Sequence, residues 1–195
     1  MSRQVGLKDF TIAMVTSDTP TIGAVAGAIV YAAPQKIERS IKAVLKPKST
    51  TTKLYSDDSV EEVVTLLDSI EVTIELNQLS VESRALLQGS TVVKGVLLET
   101  KDDVAPTLAI GFRSKKTNKK FRYVWLYKGS FEITEDTYET EEDKTKAQTA
   151  TLVGTFYPRE SDGAFRIIAD EDSELMEPAF ITSFFTAVAE QPTVI

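Results

Sequence analysis

The stretch from Pro106 to Phe131, PTLAIGFRSKKTNKKFRYVWLYKGSF, constrains the fold more than any other part of the chain. Leu108, Ile110 and Phe112 alternate with Thr107, Ala109, Gly111 and Arg113, the period of two that sends successive side chains to opposite faces of a strand. Phe121, Tyr123, Trp125 and Tyr127 then alternate with Arg122, Val124, Leu126 and Lys128. A polar loop around Lys115 to Lys120 separates the two runs; it is long enough for a hairpin but lacks the Asn-Gly or Asp-Gly pair that would set its turn type. The spacing predicts one long β-hairpin. Its second strand is aromatic on one face and aliphatic at the centre of the other, so it is covered twice. The reading is a sandwich core on one side and another subunit on the other.

At 195 residues the chain is long enough for one well-buried domain, here with appendages. Its 42% hydrophobic and 26% charged residues and a mean hydropathy of -0.09 are those of a folded domain rather than a disordered chain. No apolar run approaches the ~20 residues of a membrane-spanning helix, and MSRQVGLKDF has no apolar signal segment, so synthesis in the cytoplasm is expected. Two absences narrow the chemistry further. Without Cys there is no disulfide framework, thiolate nucleophile or cysteine zinc site, and without His there is no Ser-His-Asp triad or imidazole base. The net charge of -7 and pI near 4.8 disfavour tight nucleic-acid binding, which needs cations to replace phosphate counterions. Cofactor and metal sites are not expected.

Taken in order, Leu7 to Val15 alternates and reads as a first strand. The small-residue stretch from Gly23 to Pro34 reads as a loop or irregular arm, since Gly23 and Gly27 supply neither phosphate-loop pattern. Lys36 to Leu45 reads as a strand carrying Ile37, Arg39, Ile41, Ala43 and Leu45 on one face, broken by Pro47. The polar segment after it, with Asp57, Asp58, Glu61 and Glu62, reads as a solvated loop without calcium-loop spacing. Ile70, Val72, Ile74 and Leu76 alternate with Glu71, Thr73 and Glu75 in a half-exposed antiparallel strand. Glu71 and Glu75 lack the surroundings that would make them an acid/base pair, so they read as a solvated face. Ser80 to Gln88 predicts a short helix, with Ser80 as N-cap and Gly89 in the left-handed C-terminal position.

A further strand is expected from Val92 to Thr100, and an exposed charged loop over Glu135 to Lys146. Gln148 to Arg159 reads as a strand, Ser161-Asp162-Gly163 as a turn, and Ala164 to Ala169 as its returning antiparallel partner. Asp170, Glu171, Asp172 and Glu174 are a second cation candidate, better read as a loop. Pro178 opens a helix to about Ala189, with Phe180, Ile181, Phe184, Phe185 and Val188 as an apolar stripe for core or subunit packing. The sum is an α+β domain, mainly antiparallel β.

Four blocks in this order, VGLKDFTIAMVTSDT, TTKLYSDDSVEE, VAPTLAIGFRSKKTNKKFRYVWLYKGSF and ATLVGTFYPRESDG, resemble the phi-thirteen-type major tail proteins of long-tailed phages, over roughly Val5 to Asp172. What the resemblance implies is a tail tube protein, not an enzyme: a β-sandwich subunit with a flanking short α-helix, matched by Ser80 to Gln88, and extended loops or arms. It implies one tail tube domain over 1–195, with an N-terminal arm of about 1–6 and a C-terminal extension of about 173–195. Six copies would form a ring, and stacked rings a tube holding the tape measure protein and conducting DNA without binding it specifically. Tail terminator and tail-tip proteins would be further partners, and no membrane is involved. Assembly would take place in the host cytoplasm and the product would be the virion tail.

Within that picture Arg3 to Val5, Gly23 to Pro34 and Lys46 to Glu62 are candidate arms. Glu71 and Glu75 are candidate lumen-facing carboxylates, and Lys115, Lys116, Lys119 and Lys120 candidate contacts with acidic loops of an adjacent ring. The alternatives are another phage-tail-like part, such as a tail terminator or the inner tube of a contractile or bacteriocin-like particle, and, less favoured, a carboxylate-based hydrolase.

Overall fold

The computed structural model describes residues 2–22, 27–37, 39–56, 59–132 and 149–192, the side chains of 54–56 and 59–62 excepted. The hairpin from which the sequence was read is its centre. Strand β8 (Leu108–Lys116) pairs antiparallel with β9 (Phe121–Phe131), Phe112 opposite Val124 and Gly111 opposite Trp125. The turn between them closes with Lys119 at φ 68, the left-handed conformation that glycine adopts most easily.

Around this pair are β1 (Gln4–Thr19), β2 (Ala28–Tyr31), β3 (Gln35–Lys36), β4 (Ser40–Ser56), β5 (Ser59–Leu76), β10 (Ala150–Tyr157) and β11 (Arg166–Asp170). They form one nine-stranded sheet in the order β2-β1-β8-β9-β10-β5-β4, with β3 on β1 and β11 on β9, every pairing antiparallel. A separate two-stranded ribbon joins β6 (Thr91–Val93) to β7 (Val96–Leu98), and the helices are α1 (Val81–Gln88) and α2 (Pro178–Ser183). The domain is thus α+β and mainly antiparallel β with a short flanking helix, as expected. Its layers come from one open sheet, which bends far enough to bring β1 against β4.

One face of the sheet encloses the main core. Phe10, Ile12, Ile70, Val72, Ile74, Leu76, Leu108, Ile110, Leu126, Leu152 and Phe156 are almost fully buried there, and Leu87 of α1 closes it. The helix caps are those expected: Ser83 N–H donates to Ser80 Oγ at 3.2 Å, and Gly89 takes φ 76. On the opposite face Tyr123, Trp125 and Tyr127 of β9 form a second core with Phe184, Val188 and Ala189. The second cover of β9, expected from another subunit, is therefore the chain's own C-terminal segment. Trp125 Nε1–H donates to the Phe184 carbonyl at 2.8 Å, and Tyr127 O–H to the Ala189 carbonyl at 3.0 Å.

Five local expectations change. Pro47 does not break β4; it sits opposite Ile70, and the strand runs on to Ser56, because β4 is an edge strand whose outer side needs no donor. Hence Lys46 to Glu62 is not a loop but, in its described part, the far end of a β4–β5 hairpin. Part of the Gly23 to Pro34 stretch is likewise β2, laid along the free edge of β1. Ile41 points outward, 53% exposed, because the register shifts between Ser40 and Lys42. The strand expected from Val92 to Thr100 folds back at Lys94 and Gly95 into the β6–β7 ribbon.

The most instructive change concerns β10 and β11, which are not a hairpin. Tyr157 lies opposite Lys128 and Arg166 opposite Leu126, so β11 continues along β9 in the direction β10 had taken. The Asp162-Gly163 turn instead closes a small loop, in which Arg159 N–H donates to the Ala164 carbonyl and Gly163 N–H to that of Arg159. At the C-terminus α2 ends at Ser183 and turns carry the chain on to Val188. The charged segment over Glu135 to Lys146, and Asp57 and Asp58, lie outside the described residues.

Candidate assembly surfaces

Burial of Ile70, Val72, Ile74 and Leu76 turns Glu71, Thr73 and Glu75 to the other face of β5. There the carboxylates meet the lysines of β4. Lys48 Nζ lies 2.8 Å and Lys46 Nζ 3.5 Å from the Glu71 carboxylate, and Lys42 Nζ is 3.5 Å from Glu75. The hydrogen bond from Lys48 holds the Glu71 carboxyl below its ordinary value. This face is a lattice of cross-strand ion pairs. Sequence reasoning missed it because Pro47 was taken as the end of β4, which left Lys48 without a register.

The hairpin tip sorts its four lysines into two kinds. Lys116 is buried, its side chain 5% exposed, with Nζ 3.1 Å from Asp170 and also bonded to Asp172. Lys120 Nζ reaches Glu171 at 2.9 Å. Arg122 grips Asp170 with two hydrogen bonds of 2.7 and 2.6 Å, and Asn118 donates to Asp172 at 2.8 Å. Lys115 and Lys119 are exposed. The acidic run read as a cation candidate is thus filled by the protein's own cations, and no cluster of three acidic groups able to hold a metal occurs among the described residues.

Electrostatics follow from these pairs. Burial pulls the Lys116 ammonium down, but hydrogen bonds to Asp172 and Asp170 outweigh it and raise its pKa. Hydrogen bonds from Lys116, Asn118 and Ser2 push Asp172 down to about 2. The same cluster holds the residues just before β1: Ser2 Oγ donates to Asp172 at 3.2 Å, and Thr117 N–H to the Arg3 carbonyl at 2.8 Å.

Two further anchors had no sequence signal, since each is a single charged residue at least one of whose partners comes from distant chain. Asp18, its side chain 5% exposed, accepts from Lys128 Nζ and Glu160 N–H at 2.8 Å and from Ser161 N–H at 3.2 Å. Arg159 is gripped by Asp162 and Glu190 and lies 4.0 Å over the Tyr127 ring. Together they fasten the loop between β10 and β11 to β1 and to the C-terminal segment.

Beyond the core, the β4–β5 hairpin stands as a two-stranded arm. Its residues from Ser49 to Lys53 are exposed, and Val63 (53%), Leu66 (64%) and Leu67 (38%) present aliphatic surface to solvent. Strands β2 and β4 end the sheet, so each has an outer edge unpaired among the described residues. Free edges, an apolar arm and charge-paired faces define a class, a β-sheet subunit made to associate with others. The model of the phage tail tube protein family matches residues 41–193, and the chain belongs to that family. It is therefore a structural component of a phage tail, whose members assemble into the tube, and a non-enzymatic role follows from that membership. The match runs past Asp172 through the C-terminal segment, beyond the stretch that carried the resemblance in sequence. Comparison with curated proteins gives no match.

Proposed function

We propose that six copies of this chain close into a ring and that rings stack into the tail tube, which encloses the tape measure protein and later conducts DNA into the host. The family match over residues 41–193 carries this reading. Supporting it, the two sheet ends offer unpaired edges that a head-to-tail ring consumes. Glu71 and Glu75 line the lumen together with Lys42, Lys46 and Lys48. Lysines held by neighbouring carboxylates are not free to replace phosphate counterions, so DNA slides past without sticking. Exposed Lys115 and Lys119 meet acidic loops of the next ring, while Lys116 and Lys120 hold the tip in shape. Tail terminator and tail-tip proteins close the ends, and assembly takes place in the host cytoplasm.

The test is negative-stain electron microscopy of purified protein over a concentration series, with sedimentation of the same samples. Rings or tubes with a central hole are expected. A 21.5 kDa monomer at every concentration, even with tail-tip components added, overturns the reading.

A further inference from the structure

Strand β11 pairs along one edge only. Tyr127 N–H donates to the Phe165 carbonyl and Glu171 N–H to that of Phe121, so the odd-numbered residues from Phe165 to Glu171 turn their backbone groups to β9. Arg166 and Ile168 turn theirs outward, where no strand pairs with them among the described residues. A groove of about 360 Å³ lies against β11, lined by Arg166, Ile168, Met176 and Phe180, with Leu175 94% exposed at its rim. An open strand edge beside a lined groove is the setting in which an extended segment adds as one more strand.

The register of the sheet says which segment belongs there. Phe156 stands between Gly129 of β9 and Ile70 of β5. Arg166 to Asp170 pair with Leu126 to Arg122, three to seven residues before Gly129, and three to seven residues before Ile70 on β5 lie Leu67 to Val63. That stretch of the arm is thus level with β11, antiparallel to it and of the same five-residue length, yet no pairing joins the two. The reason is the bulge that shifts the β4–β5 register between Lys48 and Ser49, just where β5 passes the end of β10, since a bulge bends the strand that carries it. Val63 and Leu67 point to one side of β5, Val64 and Leu66 to the other, and an aliphatic run on both sides is the pattern of a strand enclosed on both faces. In the single subunit Val63, Leu66 and Leu67 are exposed instead.

We propose that Val63–Leu67 of a second copy's arm adds antiparallel to the outer edge of β11, in the place that the bulge denies to the chain's own arm. The other open edges fit it less well: β4 carries Pro47, which has no N–H to give, and β2 is only four residues long. Each copy lends one arm and receives one, a heterologous contact of the kind that propagates through rings and filaments. The proposal rests on the tube reading above, which brings a second copy within reach.

The absence of Cys makes the test direct, because introduced thiols are the only ones present. The register sets Thr65 opposite Ile168, and residues opposite each other on antiparallel strands are close enough for a disulfide. Thr65→Cys and Ile168→Cys are made as separate variants, mixed, assembled and treated with a mild oxidant. A disulfide-linked dimer containing one of each is expected in the tubes and not in the unassembled fraction. Mixed tubes without that dimer overturn the proposal. So does a chain carrying both substitutions that closes the disulfide within itself before assembly, since its own arm then occupies the edge. As a second measurement, Ile168→Lys places a charge on the open edge, the device by which natural sheets refuse an added strand, and is expected to lower tube mass at least tenfold at the wild-type assembly concentration. Wild-type tube yield from I168K overturns the proposal. Failure of the tube reading shows separately, as unmodified protein that forms neither rings nor tubes, and this contact falls with it.

Discussion

Gly111 is where a single atom decides the packing of the aromatic face. A Cβ there would sit 2.7 Å from the Trp125 ring, which is fully buried and held by its hydrogen bond to Phe184, so the ring has nowhere to move. Gly111→Ala is expected to destabilise the subunit by about 1–3 kcal/mol, the usual cost of overpacking a tight core, read as a lower urea midpoint at unchanged slope. The acidic cluster at the hairpin tip gives a second prediction at this scale. Because Asp172 is depressed from 3.8 to about 2 in the folded chain, its contribution is complete above pH 4 and is lost as pH falls through about 2. Asp170, lowered by Arg122, acts in the same direction. Melting temperature between pH 4 and pH 2 is therefore expected to fall less steeply in Asp172→Asn than in wild type. Equal slopes would show that the carboxylate is not coupled to folding.

Among the elements, the C-terminal segment does more than its few helical residues suggest. Phe184 is fully buried against Tyr123 and Phe185, at ring-centroid distances of 5.2 and 5.4 Å, and its carbonyl accepts from Trp125. Phe184→Ala is expected to cost about 3–5 kcal/mol. It is also expected to shift the fluorescence of the single tryptophan to longer wavelength, as water reaches a ring now sealed. An unshifted spectrum would mean that the segment does not seal that face. The apolar stripe was legible in sequence as helical spacing; its partner was not. Tyr123, Trp125 and Tyr127 announce a face that something covers, and only the path of the chain shows that residues about 60 positions later do so.

For the whole molecule, charge placement matters more than net charge. Lys115 and Lys119 are exposed at the hairpin tip, where the equally exposed Lys120 is held by Glu171, so Lys115→Glu with Lys119→Glu is expected to reduce tube length or yield while leaving the monomer's melting temperature unchanged. Higher salt should weaken the wild-type contact in the same way, since exposed pairs are screened beyond about 8–10 Å. The corresponding reversal of Lys116 is expected to damage folding, because it strands a buried acid beside Asp170 and Asp172. Comparing the two variants in the same sedimentation run separates assembly from stability.

Alternation by itself determined the second half of β5 and strands β8, β9 and β10, and cap chemistry determined α1, because period, Ser80 and Gly89 act over a few neighbouring residues. Local signals also placed Glu71 and Glu75 on one outward face. What they met there was decided by the register of β4, which Pro47 concealed, because proline ends a central strand but not an edge strand. The same limit applied to Asp-Gly: it specified a tight turn, while the neighbours of β9 decided that β11 would run on along β10's line rather than return. The cationic partners of the 170–172 acids, and the second core beneath the C-terminal segment, joined residues far apart in the chain. Such pairings depend on which backbone edges and apolar faces remain open once the central hairpin has formed, and only the tertiary structure holds that information.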